Sequence, residues 1–170
     1  MLQPHPDSDG RPIRCGVVTV SDTRSPGTDK SGQLIKDLLT AAGHEIGDYE
    51  VIKDDPEAIA HRLETLAQMD LEALIFNGGT GIAHRDNTYD MLAKHLEKIL
   101  PGFGEIFRTL SYQEIGSRAI ASRAVAGTYR GMILFSLPGS SGAVRLAMEK
   151  LILPELRHLV TQLQPTTTQD

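Results

Sequence analysis

The sequence contains one cysteine, Cys15, among its 170 residues. A single cysteine can form neither a disulfide within the chain nor a cysteine-based zinc site, so we expect neither kind of cross-link. We expect Cys15 to pack as a small apolar residue on a strand, because free cysteines are usually buried. The six histidines do not show the HExxH spacing of a zinc protease, and we interpret His84 as an ordinary loop residue.

Long apolar runs are also absent. No run approaches the roughly 20 residues that a membrane-spanning helix requires. Segment 1–14 is polar and has no apolar stretch that could serve as a secretory signal, which favours a cytoplasmic protein without a membrane partner. Basic residues are not in excess, since 17 basic and 22 acidic side chains give a net charge of −5. A nucleic-acid partner is therefore not expected.

Three common site motifs are missing. The sequence has no GxxxxGK[ST] and no Gly-Lys dipeptide, which excludes a Walker-type nucleotidase. No GxGxxG follows the first apolar run, GVVTV at 16–20, and this argues against a dinucleotide site. No GxSxG is present, so the sequence lacks the signature of the nucleophile-elbow hydrolases.

Hydrophobic periodicity predicts alternating strands and helices. We predict strands at 13–20, 45–52 and 73–76, and a pair within 125–137 that turns at Arg130-Gly131. We predict helices at 31–42, from about 56, at 88–100 with Ile99 facing inward, at 105–121 and up to about 163, with a break at 101–104. This order predicts an α/β fold, a three-layer α/β/α sandwich around a mostly parallel sheet with an antiparallel edge. The length fits one domain, at 13–163, between polar tails at 1–12 and 164–170.

Ligands of parallel sheets bind outside the carboxyl ends of the strands, so the loops after residues 20, 52, 76 and 137 are the candidate site. Those loops hold most of the polar outliers: Ser21 and Asp22, Asp54 and Asp55, Gly78-Gly79-Thr80-Gly81 with Arg85-Asp86-Asn87-Thr88, and Pro138-Gly139-Ser140. Three glycines in four positions allow close backbone approach, and successive N–H groups can bind an anion. A plain tight turn is the alternative interpretation.

Asp54 and Asp86 are candidate magnesium ligands, because Mg²⁺ takes one or two carboxylates together with phosphate oxygens and water. Both also have a structural alternative. Asp86 or Asn87 could cap the third helix, and Asp54 could cap the second. Five arginines in 108–145, among them Arg108, Arg123 and Arg145, either form a solvated face with subunit contacts or bind a phosphorylated ligand.

Five motifs in order resemble the MogA/MoaB family of molybdenum cofactor biosynthesis proteins over about residues 13–160. They are TVSD at 19–22, GGTG at 78–81 with RD at 85–86 and Thr88, PGFGE at 101–105, SRA at 122–124 and LPGS at 137–140. The segment FRTLSYQEIG at 107–116 is closer to the MoaB branch than to MogA.

This resemblance implies a molybdopterin-binding α/β domain that forms a trimer or a dimer of trimers. The active family members are molybdopterin adenylyltransferases, which join the AMP part of Mg-ATP to molybdopterin and release pyrophosphate. Asp54 and Asp86 match the family's two catalytic, Mg²⁺-associated aspartates. The implied substrate-binding residues are Ser21, Asp22, Gly78, Gly79, Thr80, Gly81, Arg85, Thr88, Glu105, Pro138, Gly139 and Ser140.

The chain departs from the family pattern at two places. Lys53 stands where proline often precedes the aspartate, and Ser141-Gly142 stand where proline and lysine often follow the LPG motif. A missing lysine would weaken one phosphate contact. Two alternatives to an adenylyltransferase also stay open: a MoaB-branch protein that binds molybdopterin without efficient catalysis, and a structural or partner-binding trimer.

Overall fold

A computed structural model describes residues 10–165. The outer parts of the two predicted tails, 1–9 and 166–170, lie outside the described residues. The strands are β1 Arg14–Val20, β2 Glu45–Ile52, β3 Ala73–Asn77, β4 Lys98–Ile99, β5 Val125–Tyr129 and β6 Met132–Leu137. The helices are α1 Lys30–Ala41, α2 Pro56–Ala67, α3 Thr88–His95, α4 Pro101–Ile115, α5 Ser141–Ala147 and α6 Leu153–Leu163.

The six strands form one sheet in the order β2-β1-β3-β6-β5-β4. β2, β1, β3 and β6 run parallel, while β5 pairs antiparallel with β6 and with β4. Because the four parallel strands point the same way, the loops after Val20, Ile52, Asn77 and Leu137 meet at one edge. The predicted mixed sheet is confirmed, including its antiparallel edge.

Helices cover both faces of the sheet and complete three layers. One apolar core joins the sheet to α1, α4, α5 and α6 through residues such as Leu39, Phe107 and Leu156. The second core joins the other face to α2 and α3 through Leu63 and Leu92. β3 is fully buried along its length, as expected for a strand covered on both faces. Cys15 is fully buried on β1, as the sequence predicts.

Three side chains start helices near the site edge. Asp29 accepts a hydrogen bond from the Gly32 N–H at the start of α1, and Asp55 accepts one from Ala58 N–H at the start of α2. Ser140 Oγ accepts from Ala143 N–H at the start of α5. Each bond satisfies a backbone donor that has no partner within the helix, which fixes where these helices begin.

The prediction for 88–121 is wrong in its boundaries. α3 ends at His95 instead of 100, because Leu96 adopts an extended backbone conformation and the chain then pairs with β5. Ile99 therefore lies on an edge strand and is 51% exposed. The segment 101–104 starts α4 instead of breaking a helix, since proline is well tolerated in the first helical turn. Gly116, at φ +63, ends α4, and a 3₁₀ turn follows at Gly116–Ala121.

The last helical stretch runs from Ser141 to Leu163 and contains a π-helical turn at Met148–Ile152. This turn lies just before Pro154, which lacks an N–H and interrupts the regular hydrogen-bond pattern. Within 10–165, no helix is long and apolar enough to cross a membrane.

Candidate functional site

An acidic cleft lies at the carboxyl edge of the parallel strands. It has a volume of about 170 Å³ and is lined by Val20, Ser21, Asp22, Thr23, Asp54, Gly79, Arg85 and Asp86. Six of these eight are predicted site residues, and they come from the loops after β1, β2 and β3. We call residues 78–81 the glycine turn. Three carboxylates and one guanidinium line the cleft beside this turn.

Asp54 joins the loop after β2 to the start of α3. Its Oδ1 accepts hydrogen bonds from Asn87 N–H at 3.1 Å and from Thr88 Oγ1 at 3.2 Å. The Asp54 backbone N–H donates to Asp22 Oδ1 at 3.1 Å. Asp54 does not cap α2, because Asp55 has that role, so the capping alternative for Asp54 is wrong.

Burial raises the pKa of Asp54, and the neighbouring Asp86 and Asp22 carboxylates raise it further. The hydrogen bonds from Asn87 and Thr88 act in the opposite direction without cancelling the increase. A cation in the cleft would offset the repulsion between these carboxylates. The electrostatics of the cleft thus favour a positively charged ligand next to Asp54.

Asp86 does not cap α3 either. Its Oδ2 accepts a hydrogen bond from Ala83 N–H at 3.0 Å, which closes the turn at 83–86. Asn87 occupies the N-cap position, but its side chain makes no capping bond to the helix. Asp54 instead reaches across from the neighbouring loop to the Asn87 N–H. Asp86 is half-buried and lines the cleft with one carboxylate oxygen committed to the turn.

The glycine turn requires glycine at its first two positions. Gly78 has φ +98 and Gly79 has φ +64, a region that side-chain-bearing residues rarely adopt. A Cβ at Gly79 would also overlap Thr88 Oγ1 and Asp54 Oδ2. The close approach of backbone to Asp54 therefore depends on Gly79. Thr80 and Thr88, also predicted to bind substrate, are buried.

The loop after β6 lies beside the glycine turn rather than in the acidic cleft. Gly78 N–H donates to Leu137 O at 2.9 Å, and a Cβ on Gly139 would lie 3.1 Å from Gly78 Cα. Gly139 O accepts from both Arg24 Nη atoms at 3.3 Å. Pro138, Gly139 and Ser140 thus adjoin the site at its other side.

Glu105 does not join the other predicted residues. It is exposed on α4 and lines a separate groove with residues such as Tyr89, Arg108 and Val125. His84 is exposed in the loop between the glycine turn and α3.

The sequence analysis misses a buried polar network behind the site. Asn77 Oδ1 accepts from Ser31 Oγ at 2.7 Å, and its Nδ2 donates to Thr19 Oγ1 at 2.9 Å. Asp29, which is 3% exposed, accepts from Tyr49 Oη at 2.7 Å and lies 3.7 Å from Arg24. Asn77 ends a purely apolar run, and a polar residue at that point is the signal that could have revealed the network.

The network holds the loop after β1 in place. Burial alone would raise the pKa of Asp29, but hydrogen bonds from Thr19, Gly32, Tyr49 and Ser31 together lower it. Arg24 connects this charge to Ser31 at 2.6 Å and to the Gly139 carbonyl. The loops after β1 and β6 are therefore tied to each other and to the start of α1.

A wider open groove of about 460 Å³ adjoins this network between the starts of α1 and α5. Lys30 and Arg145 supply its positive charges, and Asp37 and Ser141 also line it. Arg145 is the cationic residue of α5, and it lines this groove.

The cleft alone does not form a complete metal site. Within 10–165, no group of three or more His, Cys, Asp or Glu side chains is placed to hold a metal ion. Mg²⁺ in nucleotide sites is commonly bound through one or two carboxylates plus substrate phosphates. Asp54 and Asp86 fit that pattern, in which the nucleotide supplies the remaining oxygens.

Known proteins resemble this chain in sequence and in architecture. The family described as "Probable molybdopterin binding domain" matches residues 16–158. Molybdenum cofactor biosynthesis protein B of Halalkalibacterium halodurans is 49% identical over 164 residues, covering 95% of this chain and 96% of that protein. A crystal structure of molybdenum cofactor biosynthesis protein B superposes with a TM-score of 0.89 at 49% identity, covering 92% of this chain and 98% of that one. A crystal structure of the tungsten cofactor synthesizing protein MoaB from Pyrococcus furiosus gives a TM-score of 0.83 at 35% identity, covering 91% and 98%.

Proposed function

The chain belongs to the molybdopterin-binding domain family, and from this membership we propose that it adenylylates molybdopterin during molybdenum cofactor biosynthesis. Molybdopterin and Mg-ATP are the substrates, and pyrophosphate is released. The observation that carries the proposal is the acidic cleft, where Asp54, Asp86 and Asp22 from three loops meet beside the glycine turn. The relatives' role in making the cofactor supports the pathway, and the cleft supports the chemistry.

Adenylyl transfer needs in-line positioning and charge neutralisation more than covalent participation of the protein. A phosphate oxygen of molybdopterin forms a bond to the α-phosphorus of ATP, and the bond from that phosphorus to the oxygen bridging to the β-phosphate breaks. The electron pair leaves with pyrophosphate. Asp54 and Asp86 would hold the Mg²⁺ that arrives with ATP, and this ion would neutralise charge on the leaving pyrophosphate.

The other loops serve binding in this proposal. Backbone N–H groups of the glycine turn bind phosphate oxygens, because the turn brings the backbone close to the cleft. The loop 138–140 and the groove with Lys30 and Arg145 accept the pterin on the other side of the glycine turn, so that its phosphate reaches the turn and the cleft. Arg24 orients the 138–140 loop through the Gly139 carbonyl.

We further propose that copies of this chain assemble as a trimer or a dimer of trimers. Large apolar side chains are exposed on α4 and the 3₁₀ turn after it, with Tyr112 63%, Ile115 50% and Ile120 86% exposed. Exposed apolar clusters of this kind often mark protein–protein contacts. Assembly would cover this surface.

The direct test incubates the purified protein with molybdopterin and Mg-ATP and detects adenylylated molybdopterin by mass spectrometry. We expect adenylylated pterin and pyrophosphate in equal amounts. Binding of molybdopterin without either product would instead establish a MoaB-branch binding protein, the alternative that the sequence leaves open.

A further inference from the structure

The side chain of Arg123 donates hydrogen bonds to two carbonyls of the glycine turn. Its Nε donates to Thr80 O at 2.9 Å and its Nη2 donates to Gly81 O at 2.6 Å. The same guanidinium contacts the Asp90 carboxylate with both Nη atoms at 3.1–3.2 Å and lies 4.5 Å from the centre of the Tyr89 ring. One planar group thereby joins the segment before β5, the glycine turn and α3.

These two carbonyl contacts fix the direction of two peptide groups. All described peptide bonds are trans, and in a trans peptide the N–H points opposite to the C=O. Since the Thr80 and Gly81 carbonyls point toward Arg123, the N–H groups of Gly81 and Ile82 point away from it. Among residues 10–165, neither N–H donates a hydrogen bond to another protein group.

The two free donors lie beside Asp86, which lines the acidic cleft. The following N–H, that of Ala83, donates to Asp86, and a Cβ on Gly81 would lie 2.5 Å from Asp86 Oδ2. Adjacent free N–H groups held in a fixed direction form a binding site for a phosphate oxygen. Among the described residues, the Arg123 guanidinium contacts two carbonyls, a carboxylate and a ring, so its charge is not directed at the ligand.

We propose that Arg123 is a positioning residue that holds the Gly81 and Ile82 N–H groups ready for a phosphate oxygen of the ligand. This inference rests on the proposed function only for the identity of that ligand. Lysine cannot replace arginine here, because a single ammonium cannot hold two carbonyls and a carboxylate in one plane. The Ser122-Arg123-Ala124 motif thereby acts on the site from outside the cleft.

The test is a titration of the isotope-labelled full-length protein with pyrophosphate in magnesium buffer, followed through the amide resonances of Gly81 and Ile82. We expect both resonances to shift in the wild type and the apparent affinity to fall roughly tenfold in Arg123→Lys, the low end of the loss known for residues that orient metal ligands. Arg130→Lys is the matched control. Arg130 also holds a carboxylate, Glu64, with both Nη atoms and lies near a tyrosine ring, but it does not touch the glycine turn.

Three results would overturn the proposal: no shift of the two resonances in the wild type, equal affinity in Arg123→Lys, or an equal loss in Arg130→Lys. If Arg123→Lys fails to fold, Asp90→Asn removes the charge that holds Arg123 but leaves its contacts to the Thr80 and Gly81 carbonyls, and we expect a loss of affinity smaller than that in Arg123→Lys. Unchanged affinity in that variant would equally contradict the proposal. Failure of adenylylation alone leaves these resonances unaffected, so the two proposals can fail separately.

Discussion

At the scale of single residues, a variant of Asp86 distinguishes a catalytic role of this carboxylate from a role in the local turn. In Asp86→Asn the amide oxygen can still accept the Ala83 N–H, so the turn at 83–86 is kept while the negative charge is lost. We expect the free energy of unfolding to change by no more than about 0.5 kcal/mol and the adenylylation rate to fall by about 100-fold or more. Rates measured beside urea denaturation check both values. Normal turnover in this variant would remove Asp86 from the proposed chemistry.

Asp22 tests the electrostatics around Asp54. Burial is the main cause of the raised Asp54 pKa, and Asp22 adds to it. In Asp22→Asn the hydrogen bond to Asp54 N–H can persist through the amide oxygen, but the like charge is gone. We therefore expect the Asp54 pKa to fall and the acid limb of the activity profile to move to lower pH.

The sign follows from the ionised state that Mg²⁺ requires. A raised pKa keeps Asp54 protonated to higher pH, so activity rises as pH increases through that pKa. Because the pKa of Asp54 is higher in the folded protein than in the unfolded chain, ionising Asp54 lowers the free energy of unfolding at pH values above the ordinary aspartate pKa. The lost stability is regained as the pH falls towards and below that pKa. A carboxyl titration of Asp54 by NMR in both proteins measures the change, and an unchanged midpoint would show that Asp22 does not act on Asp54.

Residue types alone could not assign the two aspartates. The sequence placed Asp54 and Asp86 at one sheet edge, but it could not distinguish caps from free carboxylates. Asp55 caps α2, and Asp54 crosses to a different loop, a contact between residues 33 and 34 positions apart. Such long-range hydrogen bonds depend on the assembled sheet, which local patterns do not contain.

Gly79 is a poor position for a test variant. A side chain there would block ligand approach, but it would also overlap Thr88 and Asp54, which lie against that position. Gly79→Val would therefore disturb the local fold together with binding. Asp86→Asn is a cleaner probe, because it adds no atoms to the turn and keeps an acceptor for the Ala83 N–H.

At the scale of secondary-structure elements, β3 is the centre of the sheet. Phe76 is fully buried and packs in the core shared with α2 and α3. We expect Phe76→Ala to lower the free energy of unfolding by about 3–5 kcal/mol, because it leaves a cavity. Ile82→Ala, at a position that is 82% exposed, serves as the control with an expected change within about 0.5 kcal/mol. A loss below 1 kcal/mol for Phe76→Ala in urea denaturation would contradict the packing of β3.

The elements that the sequence predicted well are those with strong periodicity. β1, β2, β3 and the β5–β6 pair appear where the apolar runs stand. The errors fall between residues 95 and 121, where β4 has two residues and gains its hydrogen bonds only from β5. A strand of that length has no periodicity to detect, and Pro101-Gly102 resembles a break although proline also suits a helix start.

At the scale of the whole molecule, a substitution in the exposed apolar surface on α4 and the following 3₁₀ turn tests whether copies of the chain assemble through it. Ile120→Glu places a charge at a position that is 86% exposed, so the protomer should stay folded. If other copies cover this surface, we expect light scattering to show a fall from an oligomer to the 18.5 kDa protomer. Gln162→Glu, exposed on α6, controls for added charge. An unchanged oligomer in Ile120→Glu would place the assembly surface elsewhere.

The overall fold could be predicted from the sequence, because the order of strands and helices along the chain largely determines that they form a parallel sheet. Alternating strands and helices predict three layers, and the carboxyl edge then predicts where the loops meet. The polar network of Asp29, Ser31, Tyr49 and Asn77 could not be predicted as a whole, since its members come from the start of α1, from β2 and from β3, and Asn77 alone gave a local signal. Arg123 was one arginine among five until its contacts to the glycine turn were known.

One measurement tests the central claim most directly: the fate of label from ATP labelled at either the α- or the γ-phosphate, in the presence of molybdopterin. Adenylyl transfer predicts that α-label appears on molybdopterin and that γ-label leaves as pyrophosphate, in equal amounts. Transfer of γ-label to the pterin would indicate a kinase, and release of inorganic phosphate would indicate hydrolysis. Either result, or no transfer by protein that binds molybdopterin, would contradict the adenylyltransferase assignment.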